Sequence, residues 1–246
     1  MQKHKRIEEG SLEYQLLECC RNGSLEEVRA LLDAVVAADA GLPNIYEREE
    51  LLDGYSIVHM AAENPDIRII KLLVERGADV NVTDSYANTP LYYAARRNTL
   101  EMVWYLVSLG NDPLWENADG DNLLTVSACN PHKDVLEYFL HQGVDIDGVS
   151  DIIPLGKAMR DGTPEDIDFF LTHGADREYA LTSAYCCAPL ENIRYLLEKG
   201  CNVNACFDIL GNRLDWTKLP EDPLRQLFLE YGAKSDEELA KESKIQ

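Results

Sequence analysis

Apolar residues along this 246-residue chain recur in short bursts, each closed by a glycine. Leu73-Val74 precedes Gly77, Leu106-Val107 precedes Gly110, and Phe139-Leu140 precedes Gly143. The series continues with Phe170-Leu171 before Gly174, Leu196-Leu197 before Gly200 and Phe228-Leu229 before Gly232, at glycine spacings of 33, 33, 31, 26 and 32. Sixteen residues before five of these glycines stands a small residue: Ala61, Ala94, Ser127, Ala158, Ala184. Nineteen before stands Val58, Leu91, Leu124, Leu155 or Leu181, and seven before stands Ile70, Val103, Leu136, Ile167 or Ile193. Agreement at three independent positions over five units marks an internal repeat.

Each unit reads as two short antiparallel helices. In the clearest one the first helix spans Pro90 to Arg97, with proline in the first turn, where no amide partner is needed. The second runs from about Leu100 to Leu109 and places Val103, Leu106 and Val107 on one face. Gly110 stops it, because glycine accepts the left-handed conformation beyond a helix end. The stretch from Asp112 to Asp121, rich in Asp, Asn and Gly, reads as a turn or hairpin. One such unit cannot bury its apolar face alone, so the units stack. The expected class is all-α, a helical repeat solenoid with short β-hairpin or turn fingers and about seven units including atypical caps.

These residues carry a family resemblance. Thr89-Pro90-Leu91-Tyr92-Tyr93-Ala94-Ala95 resembles the Thr-Pro-Leu-His-x-Ala motif of ankyrin repeats, and Ser56-Ile57-Val58-His59-Met60-Ala61-Ala62 keeps the histidine. Gly77-Ala78-Asp79-Val80-Asn81 is similar to the family's helix exit, which Gly174-Ala175-Asp176 and Gly200-Cys201-Asn202-Val203-Asn204 repeat. The resemblance covers roughly residues 12 to 233 and departs from the pattern in three places. Residues 1–52 read as an N-terminal capping repeat, its second helix running on through Val35-Val36-Ala37-Ala38, then a long linker from Gly41 to Leu51. Residues 53–204 read as regular repeats, with a shortened hairpin around Arg177 to Ala180 to account for the spacing of 26. Residues 205–233 read as a C-terminal cap, with Trp216 in the small-residue slot, and 234–246 as a charged tail.

The resemblance also implies roles. His59 would brace the turn of its repeat by hydrogen bonds. Family members bind proteins through a concave face built from finger tips and the ends of first helices. Carried over, the partner-binding positions are Tyr55, Glu63, Asn64, Ser85, Tyr86, Asn88, Arg96, Arg97, Trp115, Glu116, Asp119, Asp121, Asn130, Arg160 and Asp161. The same carry-over also gives Glu50, Asp53, Thr83, Ser150 and Ile152. Aromatic residues beside charges suit an interface.

Charge narrows the partner. The chain has 44 acidic and 23 basic residues, a net −21 at pH 7. That opposes nucleic acid and anionic membrane surfaces, both of which require clustered Lys and Arg. Residues 101 to 180 hold sixteen Asp or Glu against four Lys or Arg, a net −12, so the fingers favour a basic protein surface. No run of 18 apolar residues spans a membrane, and the basic start Met1 to Arg6 leads into Ile7-Glu8-Glu9 rather than an apolar signal segment, so a cytoplasmic protein is expected.

Seven cysteines, two pairs of them adjacent, do not form a secreted disulfide pattern. Cys186, Cys187, Cys201 and Cys206 are too irregularly spaced for a zinc site. Cys201 sits in an alanine slot, and Cys186 and Cys187 align with Arg96 and Arg97, facing the groove. No hydrolase, phosphate-loop or dinucleotide motif is present. The chain is therefore expected to be a non-enzymatic, cofactor-free protein-binding module, monomeric when free. Two versions stand: an immunity or inhibitor protein masking a cationic site, and an adaptor or host-directed effector that scaffolds other proteins.

Overall fold

A computed structural model describes residues 10–37, 46–48, 52–148, 153–184, 187–204 and 222–234. The chain divides into two compact units, Met1–Ser150 and Asp151–Gln246. The division falls inside the span 53–204 that the sequence reads as one run of repeats.

Among its described residues the first unit contains four helix pairs: α1 (Leu12–Asn22) with α2 (Leu25–Ala37), α3 (Ile57–Glu63) with α4 (Ile67–Glu75), α5 (Pro90–Arg97) with α6 (Leu100–Ser108), and α7 (Leu123–Ser127) with α8 (Lys133–Gln142). First helices pack in a row, α1 on α3, α3 on α5, α5 on α7; behind them α2 packs on α4 and α6 on α8. Small residues allow this close row. Ala61, Ala62, Ala94, Ala95, Ser127 and Ala128 are fully buried at the inter-helix faces. The second helices add Ile69, Ile70, Leu73, Met102, Val103, Leu106, Val135, Leu136 and Phe139 at helical spacing. β1 (Tyr46–Arg48), inside the predicted linker, pairs antiparallel with β2 (Leu52–Tyr55), which follows the linker and leads into α3.

The second unit contains α9 (Pro154–Asp161), α10 (Pro164–Thr172), α11 (Arg177–Ala184), α12 (Leu190–Glu198) and α13 (Pro223–Glu230). Helix α9 packs on α11, α10 on α12, and α12 on α13. Leu155, Ala158, Ile167, Phe170, Leu181, Ala184, Ile193 and Leu196 form its core.

The six exit glycines all have positive φ, from 84° to 105°, as the repeat spacing predicts. The predicted shortened hairpin at Arg177 to Ala180 does not form. Asp176 caps α11 directly, its Oδ1 accepting from Tyr179 N at 2.8 Å, so the chain passes from the exit of α10 straight into the next helix. The spacing of 26 thus reflects a missing finger. Val203 and Asn204 are also helical immediately after the exit at Gly200. Most of the predicted C-terminal cap, with Trp216, and the tail beyond Lys234 lie outside the described residues.

Candidate partner-binding surface

Two fingers of the first unit have the same internal bonding, 33 residues apart. In the first, Asp84 N donates to Asn88 O (3.0 Å) and Ala87 N to Asp84 O (3.1 Å). The Asp84 carboxylate accepts from Tyr86 N, Asn88 N and the Asn88 amide. In the second, Asn117 N donates to Asp121 O (3.1 Å) and Gly120 N to Asn117 O (3.1 Å). The Asn117 side-chain oxygen accepts from Asp119 N and Asp121 N. A short polar side chain that accepts from amides two and four residues on folds the tip locally. Ala118 N donates to Tyr86 O at 3.1 Å, joining one tip to the next.

Buried groups anchor the first finger to the helices. Tyr93, 1% exposed, donates its hydroxyl to Asp84 Oδ2. Burial, followed by the bond to Asp84, holds the Tyr93 hydroxyl far above its ordinary pKa. His59 is also fully buried. Its Nδ1 accepts from Ser56 N (2.9 Å), which closes a capping box at the start of α3. That assigns the proton to Nε2, which donates to Asn88 O at 3.1 Å. The expected bracing role is therefore present, and it reaches beyond the residue's own repeat into the next finger. Burial, the largest influence, holds the His59 pKa below its ordinary value.

The predicted binding residues fall into three groups. Ser85, Tyr86, Glu116 and Asp119 are exposed on the fingers, with Asp121 half-buried. Tyr55 and Trp115 are half-buried in an aromatic run: Tyr55 against Tyr93 at 5.1 Å, Tyr93 against Tyr92 at 5.1 Å, and Tyr92 against Trp115 at 5.8 Å. Glu63, Arg96 and Arg97 line a groove of about 570 Å³ at the C-terminal ends of α1, α3 and α5, together with Arg21 and Tyr93. In it Arg21 Nε lies 2.7 Å from Glu63 Oε2, and Arg96 Nη1 lies 3.9 Å from Glu63 Oε1.

Three predicted contact residues are corrected. Asn64, Asn88 and Asn130 are 3%, 5% and 0% exposed, so they belong to the frame. The Asn64 amide donates to Cys20 O and Gly23 O (both 3.1 Å). Asn130 donates to Ala95 O (2.8 Å) and Asn98 O (3.1 Å). Between them Asn98, which the sequence reading passed over, donates to Ala62 O (3.0 Å) and Asn64 O (2.8 Å). Each asparagine thus ties its inter-helix turn to the preceding one. In the second unit Asn192 does the same to Met159 O and Gly162 O. The signal was an asparagine recurring two or three residues past the small pair. The family resemblance instead places these positions on the concave face, where side chains meet a partner. The turn carbonyls here are buried and need donors.

Arg160 and Asp161 belong to the second unit, where Lys157 Nζ and Arg160 Nη2 lie 2.6 and 3.0 Å from Asp161 Oδ2. Hydrogen bonding from Arg160, then Lys157, holds the Asp161 carboxyl below the usual range. Asn88 and the finger residue Thr83 are described, whereas Glu50, Ser150, Ile152, Cys186 and Cys206 and the side chain of Asp53 lie outside the description. Cys187 is exposed and Cys201 buried, as their slots predict. Among the described residues no group of His, Cys, Asp and Glu is placed to hold a metal, and no helix is long and apolar enough to cross a membrane.

Comparison with known proteins supports this architecture. The chain is 28% identical over 163 residues to the ankyrin repeat protein nuc-2 of Neurospora crassa, spanning 65% of this chain and 14% of that protein. It is 24% identical to a putative palmitoyltransferase ZDHHC13 of Danio rerio, over 88% of this chain and 34% of that protein. It is 32% identical to protein phosphatase 1 regulatory subunit 27 of Mus musculus, over 52% of this chain and 78% of that protein. The chain thus spans well under two thirds of the first two relatives. A family model described as ankyrin repeats, three copies, matches residues 16–117 and 58–150. With helix pairs, left-handed exit glycines and fingers in register, this chain belongs to the ankyrin repeat family, and its repeats form a protein-protein interaction module.

Proposed function

We propose that the chain acts without catalysis, as a monomeric cytoplasmic binding module, and that its fingers meet a basic surface of the partner. The observation that carries this is the second finger, where Glu116 and Asp119 are exposed and Asp121 is half-buried, and none of the three is in an ion pair among the described residues. They lie within the stretch of net −12. Carboxylates on projecting tips raise the encounter rate with a cationic surface and make binding salt-dependent. One specific form is an immunity or inhibitor protein that covers the cationic site of a toxin or nuclease.

The adaptor reading has one observation in its favour. The mouse relative, matched over 78% of its length, is a regulatory subunit, and an adaptor's partner need not be basic. Affinity capture from the native cell, followed by calorimetry of the captured protein at low and physiological salt, separates the two. Affinity that falls steeply with salt supports the basic partner. Tight binding without salt dependence removes it and leaves the adaptor.

A further inference from the structure

The groove beside Glu63 has the opposite charge character from the fingers. Arg21, Arg96 and Arg97 line it, and Glu63 is shared between the first two at 2.7 and 3.9 Å. Asp66, also at its edge, is held by its own neighbour Arg68, with Nη2 2.6 Å from Oδ2 and Nε 2.8 Å from Oδ1. Arg97 is exposed and forms no hydrogen bond or ion pair among the described residues.

The helix-end carbonyls that could have engaged these guanidiniums already have donors. The amides of Asn64 and Asn98 bond to Cys20 O, Gly23 O, Ala62 O and Asn64 O. Three guanidiniums therefore face one carboxylate of their own, in a chain whose net charge is −21. A diffuse acidic surface would repel anions, so a concave pocket of guanidiniums creates a local exception that selects them at one place. Guanidinium forks match carboxylates in geometry as well as charge.

The geometry points to this groove as the seat of an acidic peptide segment of the protein partner, whose carboxylates pair with Arg97 and Arg96. This rests on the reading of the chain as a protein-binding module, but not on the partner's surface at the fingers being basic. A volume of about 570 Å³ accommodates a few side chains rather than a folded domain.

The test uses the full chain and three fluorescein-labelled seven-residue peptides, read by anisotropy at low salt. One alternates Asp and Glu, the second is its Asn/Gln isostere, and the third alternates Lys and Arg. The acidic peptide is expected to bind at least about tenfold tighter than the isostere, and Arg97→Glu is expected to remove that preference. Arg97 is exposed, so the variant keeps its fold, which circular dichroism checks; Arg97→Ala gives a smaller loss in the same direction. The proposal is overturned if the acidic peptide fails to outbind its isostere, or if Arg97→Glu leaves its affinity unchanged. The basic peptide reports separately on the fingers. Its binding should fall in Glu116→Lys and Asp119→Lys and not in Arg97→Glu, so each reading can fail alone.

Discussion

His59 and Asn88 are joined across 29 residues of sequence, the imidazole Nε2 donating to the asparagine carbonyl at 3.1 Å while Nδ1 accepts from Ser56 N. One buried ring thus starts a helix and fixes the base of the next finger. Replacing it by alanine strands a buried amide and a buried carbonyl, so His59→Ala should destabilise the first unit by about 2–4 kcal/mol in urea unfolding.

The same ring sets a pH dependence. Burial depresses the folded pKa of His59, so the unfolded chain binds the proton more readily. Its contribution to stability is complete above the unfolded value of about 6.5 and declines as pH falls below it toward the folded pKa. Thermal midpoints measured from pH 7.5 to 5 should therefore drop more in the wild type than in His59→Gln. Equal slopes would show that the histidine is not the group responsible.

Asn130 provides a test of frame against interface. Its amide bonds two buried carbonyls, Ala95 O and Asn98 O. Asn130→Ala should cost about 1–3 kcal/mol of stability, and leave partner affinity, measured on the folded fraction, within about twofold of wild type. Trp115→Ala should show the reverse pattern, with a larger effect on binding than on folding.

The two fingers offer a matched pair of substitutions. Ala87, at φ 62°, is the one non-glycine residue with positive φ among those described, and its counterpart 33 residues on is Gly120 at φ 81°. Left-handed backbone costs a residue with a β-carbon about 1 kcal/mol. Ala87→Gly should therefore raise the denaturation midpoint or leave it level, and Gly120→Ala should lower it. The double variant should lie near the wild type, since tips bonded in the same way differ mainly in which one carries the strain.

Charge on the fingers predicts kinetics. Glu116→Lys with Asp119→Lys reverses two exposed carboxylates that take no part in tip hydrogen bonding through their side chains. Association with a basic partner should slow at low salt by about tenfold, with little change in dissociation, and the difference should shrink as salt rises. Stopped-flow mixing at several ionic strengths resolves the two rates.

Glycine spacing, the small-residue slot and the aliphatic positions were enough to place α5 at Pro90–Arg97 and to identify the repeat, because each acts within one unit. A glycine at a helix exit needs only local backbone freedom, and an apolar face needs only helical spacing. Charge balance and the acidic fingers were legible for the same reason, since they are properties of composition. The missing finger before α11 was not legible: a shortened spacing does not say which element was lost until Asp176 is seen capping the helix.

The asparagines mark the boundary most clearly. Asn64, Asn88 and Asn130 have the polarity of surface residues, and sequence alone assigned them to the partner. For Asn64 and Asn130 tertiary structure decided otherwise, because stacking buries turn carbonyls 32 to 44 residues away that must find donors, while Asn88 is buried at the base of its own finger, its amide on Asp84 and its carbonyl on His59. The arginine groove follows the same logic. Arg21 and Arg96 are distant along the chain, and only the row of first helices brings their charges to one side of Glu63. The repeating fold was thus written in local spacing, while the sign and shape of its binding groove depended on which units lie side by side.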